Sequence, residues 1–211
     1  MTASSFNPAC TQCPRLATFL AEVRDAYPSY HGRPVAPFGV ADAELLIVGL
    51  APGMHGANAT GRPFTGDYAG ILLYETLYKF GYSNQAVATA RDDGLVLRRC
   101  RITNAVKCLP PENKPTTAEI RQCNGYLQHE LAGLKEGRVI LALGLIAHQA
   151  VLEALALKKR DFVFKHNMMH ALPKGQWLVD SYHCSRYNTQ TKRLTTTMFE
   201  EVFHNIGSLL G

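Results

Sequence analysis

The sequence predicts an α/β fold: a three-layer sandwich with a central four-stranded parallel sheet flanked by helices. Three observations carry that expectation. Four short apolar runs, at 44–50, 101–106, 138–143 and 177–182, have the length and composition of buried strands. Between them lie longer segments whose apolar residues recur at three- and four-residue spacing, the period of an amphipathic helix. Strand-like and helix-like segments alternate along the chain, as they do in a parallel sheet joined by helical crossovers.

The elements follow in order. Pro14 opens a helix to Tyr27, with Leu16, Phe19, Leu20, Val23 and Tyr27 at helical spacing and the proline in the one turn that tolerates it. Segment 29–40 is rich in glycine and proline and reads as loop. Glu44–Leu50 is the first strand and runs into Ala51-Pro52-Gly53. Ile71–Phe80 is a helix closed by Gly81. Arg101–Val106 is the second strand. Thr116-Thr-Ala-Glu119 has the pattern of a capping box, after which Ile120, Cys123, Leu127, Leu131 and Leu134 repeat at helical spacing. Arg138–Leu143 is the third strand, followed from Gly144 by a helix to about Leu157. Trp177–Tyr182 is the fourth strand. A last helix starts near Thr195, with Phe199, Val202, Phe203, Ile206 and Leu209 on one side. No internal repeat or linker interrupts the pattern, so residues 1–211 are expected as one domain.

Composition narrows the class. An apolar fraction of 46% and a charged fraction of 18% describe an ordinary globular chain. No apolar stretch reaches the roughly 18 residues of a membrane span. The N-terminal residues Met-Thr-Ala-Ser-Ser-Phe-Asn-Pro lack the charged and apolar regions of a secretion signal, so a cytoplasmic protein is expected. The six cysteines then read as metal ligands or buried thiols before disulfides. The net charge of +5 gives only weak support for a polyanionic partner. Its placement adds to that support. Arg98, Arg99, Arg101, Lys107 and Lys114 cluster around a central motif, and Arg186, Lys192 and Arg193 follow the last one.

Four cysteines have the spacing of a metal site. Cys10 and Cys13 form a Cys-x-x-Cys pair, and Cys108 and Cys123 lie far downstream, the latter on a predicted helix. Four thiolates of this kind suit tetrahedral zinc or an iron–sulfur cluster, and either would tie the N-terminus to the middle of the fold.

Three polar motifs sit at predicted carboxyl ends of strands, where parallel sheets bind their ligands. The first runs from Gly49 through Gly53, His55, Gly56 and Asn58 to Gly61-Arg-Pro-Phe64-Thr-Gly-Asp67-Tyr-Ala-Gly70. Its six glycines in 22 residues let backbone amides approach a ligand. The spacing matches neither a dinucleotide fingerprint nor a P-loop. Phe64 alone fits a core aromatic, and Asp67 alone fits a helix cap. The second motif places Asn104, able both to donate and to accept, at a strand end before Lys107-Cys108-Leu-Pro-Pro-Glu-Asn113-Lys114-Pro115. The third is Tyr182-His183-Cys184-Ser185-Arg186-Tyr187-Asn188-Thr-Gln190-Thr, with a histidine able to donate to a leaving group. Apart from His55 of the first motif, the other histidines, including His148, His166 and His170, receive no role.

Taken together and in order, these motifs resemble the uracil-DNA glycosylase superfamily. Within it they look like the iron–sulfur-containing family 5 (type B) enzymes of bacteria and archaea. The resemblance spans residues 10 to about 205. It implies a DNA repair glycosylase that flips uracil, with other deaminated or damaged bases as further candidate substrates, out of DNA and hydrolyses the N-glycosidic bond. It also implies that Cys10, Cys13, Cys108 and Cys123 hold a structural [4Fe–4S] cluster, leaving Cys100 and Cys184 free. Phe64 would stack on the base and Asn104 would read its Watson–Crick edge, with Gly53, His55 and the backbone amides of 51–58 nearby. His183 would donate to the base O2, and Asp67 would activate water and stabilise the sugar cation. Lys107, Arg186 and Tyr187 would contact DNA, with the loop after His183 wedging the duplex. The partner that the resemblance implies is DNA containing uracil or other damaged bases, and a monomer is the default expectation.

The chain departs from related patterns twice. Leu50 and Ala51 stand where family 4 enzymes carry an acid, which assigns water activation to Asp67. Cys184 replaces the proline usual after the motif histidine, which removes a fixed φ and loosens that loop. Two other readings remain. One is a non-catalytic, metal-containing DNA-binding module on the same fold. The other is a hydrolase of free nucleotides.

Overall fold

Leu45-Leu-Ile-Val-Gly49 carries no side chain that water would solvate, so the chain can place it only where both faces are covered. The same holds for Val139–Leu143, and both strands are buried along their whole length. The computed structural model describes residues 5–211. Its helices are α1 (Pro14–Ala26), α2 (Ala57–Thr60), α3 (Tyr68–Lys79), α4 (Thr117–Ala132), α5 (Leu145–Ala154), α6 (Arg186–Gln190) and α7 (Thr196–Leu210). Its strands are β1 (Phe38–Gly39), β2 (Leu45–Gly49), β3 (Cys100–Asn104), β4 (Val139–Leu143), β5 (Met169–Ala171) and β6 (Trp177–Ser181).

The sheet order is β1-β3-β2-β4-β6-β5. The four strands expected from sequence are its parallel core, with Ile47 opposite Ile102 on one side and Leu141 on the other, and Leu141 opposite Val179. Two short antiparallel strands were missed. β1 lies inside the segment read as loop and pairs Phe38 with Ile102, and β5 pairs His170 with Leu178. Neither has enough residues to show a period.

Alternation along the strands makes two separate cores. Leu45, Ile47, Ile102, Leu141 and Val179 meet Leu73 and Leu77 of α3 and Phe199 and Phe203 of α7. Leu46, Val48, Ile140, Ala142 and Leu178 meet Leu127 and Leu131 of α4 and Ala147 and Val151 of α5. Each such side chain contributes about 1.5–3 kcal/mol on burial. α1 packs Leu16, Leu20 and Val23 against Val106, Leu109 and the α4 residues Cys123 and Tyr126, so the N-terminal segment is held on the outside of α4.

Local chemistry sets the helix ends. Thr116 and Glu119 form the expected capping box on α4. α3 begins three residues before the predicted Ile71, because the Asp67 side chain caps it by accepting from the Gly70 amide. Behind the sheet, buried Asp180 of β6 binds His148 of α5 (2.7 Å) and His170 of β5 (3.1 Å), and His148 also reaches the Phe162 carbonyl (2.9 Å). These two histidines, without a role in the sequence reading, brace α5 and β5 onto the sheet.

Gly70 lies in the first turn of α3, where a β-carbon would sit 1.9 Å from the Phe64 carbonyl oxygen. Gly70→Ala is therefore expected to destabilise the protein by about 1–3 kcal/mol through overpacking, outweighing alanine's better helix propensity. Gly207→Ala in α7, where a β-carbon meets nothing within 4 Å, is expected to stabilise by about 0.5–1 kcal/mol. Denaturant melts of both variants check the pair, and equal effects would contradict it.

Candidate active site

A cleft of about 300 Å³ opens at the carboxyl ends of the strands. The connection after β2 leaves toward α3 on one face, and the connection after β4 leaves toward α5 on the other. A crevice must form where they part. Its walls come from three segments: Leu50, Ala51, Gly53, Phe64 and Asp67 after β2, Asn104 at the end of β3 with Asn113 beyond it, and His183 and Ser185 after β6. Asn113 and Ser185 had no assigned role in the sequence reading. Asn113 reaches the cleft from a turn in which it and Glu112 both have positive φ, 58° and 55°.

Phe64 is held in a conformation that a bulky residue avoids, with φ of 54°. Its surroundings over-determine it. The neighbouring Arg62 is 3% exposed and forms a two-pronged pair with Asp93 at 2.8 and 2.6 Å, while its Nε donates to the Thr65 hydroxyl at 2.8 Å. Asp93 also accepts from the amides of Thr89, Ala90 and Leu95, and the Arg62 guanidinium holds its carboxyl far below the usual range. The Tyr74 hydroxyl donates to the Pro63 carbonyl at 2.8 Å. These residues do no chemistry; they fix the loop that aims Phe64. Arg62 lay inside a recognised motif, but nothing local linked it to Asp93, 31 residues away.

Asn104 stands beside Phe64. Its Oδ1 is buried and has no hydrogen-bond partner. An orphaned buried acceptor costs about 1–3 kcal/mol, so it is tolerated where a ligand supplies the donor. The amide and the ring come together because residue 49 is glycine. A β-carbon there would lie 2.4 Å from Asn104 Oδ1 and 2.7 Å from Phe64 Cζ.

Asp67 and His183 complete the polar wall. Asp67 is half-buried, with Oδ1 fixed by the Gly70 amide at 2.9 Å, and Oδ2 lies over Gly56, where a β-carbon would come within 2.6 Å. Burial raises its pKa, opposed by the Gly70 and Ala69 amides. It is both the helix cap and a cleft carboxylate, so the two readings of this residue are compatible. The His183 ring centroid is 5.9 Å from that of Phe64, and burial lowers its pKa to about 4. The ring is thus neutral at physiological pH. The segment after it, expected as a loop, is the helix α6, capped by Ser185, and Asn188 of α6 donates to the His183 carbonyl at 2.8 Å.

Three expectations need correction. His55 does not face the cleft: its exposed ring bonds the Tyr30 hydroxyl at 2.8 Å and packs edge-on to Tyr27. Lys107 is no surface cation. It is 1% exposed, and its ammonium pairs with Glu130 of α4 (3.1 Å) and with the Thr103 hydroxyl, so it cannot reach DNA in this structure. Nor is the central basic cluster wholly free: Arg99 pairs with Glu44, Arg101 with Glu130, and Lys114 with Glu112, whereas Arg98 is exposed. Arg186 and Tyr187, by contrast, are exposed at the start of α6 beside the cleft residue Ser185. The Arg186 guanidinium lies 5.8 Å from the Tyr68 ring centroid.

Cys10, Cys13, Cys108 and Cys123 line one small cavity with Leu16 and Tyr126. They converge from the loop before α1, the N-cap of α1, the loop after β3 and the middle of α4. Burial and the neighbouring sulfurs raise Cys13 to about 11 and Cys108 to about 12. Four soft donors that repel one another as thiolates suit a metal centre, whose positive charge reverses that repulsion. Cys100 and Cys184 are buried elsewhere in the apolar core.

The His183 shift has a pH signature. Its ordinary pKa is 6.5 and its native value is about 4. Between these values the unfolded chain binds a proton that the native chain does not, so native stability falls as pH drops through that window and is fully present above it. Denaturant melts at several pH values should show His183→Gln losing less stability than wild type on acidification. Parallel curves would contradict the shift.

The uracil DNA glycosylase superfamily model matches residues 36–207. The chain is 45% identical over 208 residues to the type-5 uracil-DNA glycosylase of Thermus thermophilus, covering 96% of this chain and 94% of that one. It is 39% identical over 206 residues to the type-5 uracil-DNA glycosylase of Pyrobaculum aerophilum, covering 96% and 89%. The type-4 uracil-DNA glycosylase of the same organism aligns over 112 residues at 40% identity, covering 53% of this chain and 49% of that one. With the cleft at the strand ends and a match across most of its length, this chain belongs to the uracil DNA glycosylase superfamily.

Proposed function

We propose that this protein is a monofunctional DNA glycosylase that removes uracil, and other deaminated bases of similar edge chemistry, from DNA. It hydrolyses the N-glycosidic bond and leaves an abasic site for base-excision repair. The observation that carries the reading is the orphaned Oδ1 of Asn104 beside Phe64 in a base-sized cleft. Uracil offers a donor at N3 and an acceptor at O4, and an Asn amide complements both. Cytosine offers an acceptor and an amino group at those positions, so the same amide orientation rejects it. The base must leave the helix to enter such a cleft.

The chemistry divides between the two sides of the cleft. As the glycosidic bond breaks, its electron pair leaves with the base and the sugar becomes cationic. Neutral His183 can donate a hydrogen bond to the base O2 without carrying a charge that the apolar wall would penalise. The free oxygen of Asp67 can orient water toward C1′ and take up its proton as the new C–O bond forms, while its charge stabilises the sugar cation. Leu50 and Ala51 line the same wall without an acid, and among the described residues Asp67 is the one carboxylate lining the cleft. The motif lysine, Lys107, is turned into α4, which supports hydrolysis over amine-based strand cleavage. Every group in this scheme comes from one chain, so the reading needs no second subunit. Arg186 and Tyr187 are placed to meet the DNA beside the cleft.

For the cysteine site we favour a [4Fe–4S] cluster over a single zinc ion. Four cysteine thiolates brought to one cavity from separate segments are the ligand set of such a cluster. The cluster's role would be to hold the N-terminal segment and α1 to α4 and the loop after β3.

The test is a base-excision assay on labelled duplexes carrying uracil opposite guanine or adenine, followed by alkali, together with iron and sulfide analysis of the purified protein. Alkali-dependent breaks are expected from wild type, reduced about 10²-fold or more in Asp67→Asn and His183→Ala, with about four irons per chain. DNA binding without base release would indicate a non-catalytic module, and release from free nucleotides alone would indicate a nucleotide hydrolase.

A further inference from the structure

We infer that Lys107 is a positioning residue for base excision: its buried side chain, held by Thr103 and Glu130 on the α4 side of the sheet, fixes the strand end that presents Asn104 to the cleft. The inference rests on the glycosylase reading and goes beyond it, because Lys107 touches neither cleft nor duplex.

Adjacent strand residues point to opposite faces. In β3, Thr103 points to the α4 side and Asn104 to the α3 side, where it meets Phe64 and the cleft. On the α4 side the contacts form a closed set. The Lys107 ammonium donates to the Thr103 hydroxyl and to Glu130 Oε1 (3.1 Å), and the Thr103 hydroxyl donates to the same oxygen (2.8 Å). Arg101 Nε donates to Glu130 Oε2 at 3.0 Å. Burial opposes the charge on Glu130, but Lys107, Thr103 and Arg101 hold its pKa below the ordinary value. Lys107 is the one lysine among the largest fully buried side chains of the described residues.

The backbone from Asn104 to Cys108 is tied down as well. The amides of Ala105 and Val106 donate to the carbonyls of Gly49 and Leu50, both at 2.9 Å. The Lys107 carbonyl accepts from Val35 at 2.7 Å, and its amide donates to Cys123 Sγ at 3.3 Å. Lys107 therefore sits where the base-reading strand end meets the cysteine site. Stability alone does not require this arrangement, since a buried ion pair is often replaceable by apolar residues without loss. What the pair adds is directional: it sets how far Thr103, and with it Asn104, projects from the sheet.

The test separates positioning from stability. Lys107→Met alone removes one of the two cations that compensate the buried Glu130 carboxylate, the other being Arg101, and is expected to lower the melting temperature. The double variant Lys107→Met/Glu130→Met removes both charges and is expected to recover the melting temperature and the iron content. Its single-turnover rate on uracil-containing duplex at saturating enzyme should nonetheless stay about 10- to 100-fold below wild type, the penalty for a catalytic geometry displaced by about 1 Å. Its affinity for an undamaged duplex should be unchanged. Thr103→Val, which keeps the shape and removes the hydroxyl, should reproduce the rate loss, and Thr103→Ser should restore the rate. A double variant with the wild-type rate would overturn the inference, as would a rate loss explained by weaker duplex binding. Wild type that releases no uracil would instead sink the glycosylase reading and this inference with it.

Discussion

The site depends on the absence of a side chain at Gly49. β2 ends there between Asn104 at the end of β3 and the Phe64 ring, with no room for a β-carbon against either. The parallel pairing that sets Gly49 opposite Asn104 also sets Val48 opposite Thr103, so the sheet register itself delivers the amide to the cleft. Every other feature of this cleft wall supports the contact. The Arg62–Asp93 pair and the Tyr74 hydroxyl hold Phe64 at a φ it would not otherwise keep. Lys107 and Glu130 hold the opposite side of the strand end.

Burial gives each cleft group a definite state before any ligand arrives. It keeps His183 neutral, so that it can donate without introducing a charge, and it leaves Asn104 with a buried acceptor that has no partner within the protein. Asp67 is anchored through one oxygen by the first turn of α3, where the helix N-terminus favours a carboxylate, and its other oxygen faces the glycine-lined wall. The preference for a rigid, partly unsatisfied site over a relaxed one is what is expected when binding energy is directed at orientation.

Much of this was legible in the sequence, for identifiable reasons. Strands such as 45–49 and 139–143 are buried on both faces, so their apolar runs were unbroken, and the Thr116–Glu119 capping box is a local signal. Cleft residues Phe64, Asp67, Asn104 and His183 sit in motifs beside strand ends, where sequence order and spatial order agree. The edge strands β1 and β5 were too short to carry a period. Long-range pairings were illegible for a different reason. Nothing near Lys107 announces that Glu130, 23 residues on, turns it inward, so it read as a surface cation. His55 was placed near the base by the motif resemblance alone, but the Tyr30 hydroxyl holds its ring outside the cleft. Asn113 and Ser185 reach the cleft through turn geometry that residue type alone does not reveal.

The most direct measurement is a two-by-two comparison of single-turnover excision. Wild type and Asn104→Ala are each given deoxyuridine and N3-methyldeoxyuridine in the same duplex. Methylation removes the one donor that the orphaned Oδ1 awaits, and alanine removes that oxygen. Wild type should lose rate on the methylated base, and Asn104→Ala should be slow on both with the discrimination largely abolished, a coupling of about 1–3 kcal/mol. Equal discrimination by the two proteins would show that Asn104 does not read the base edge.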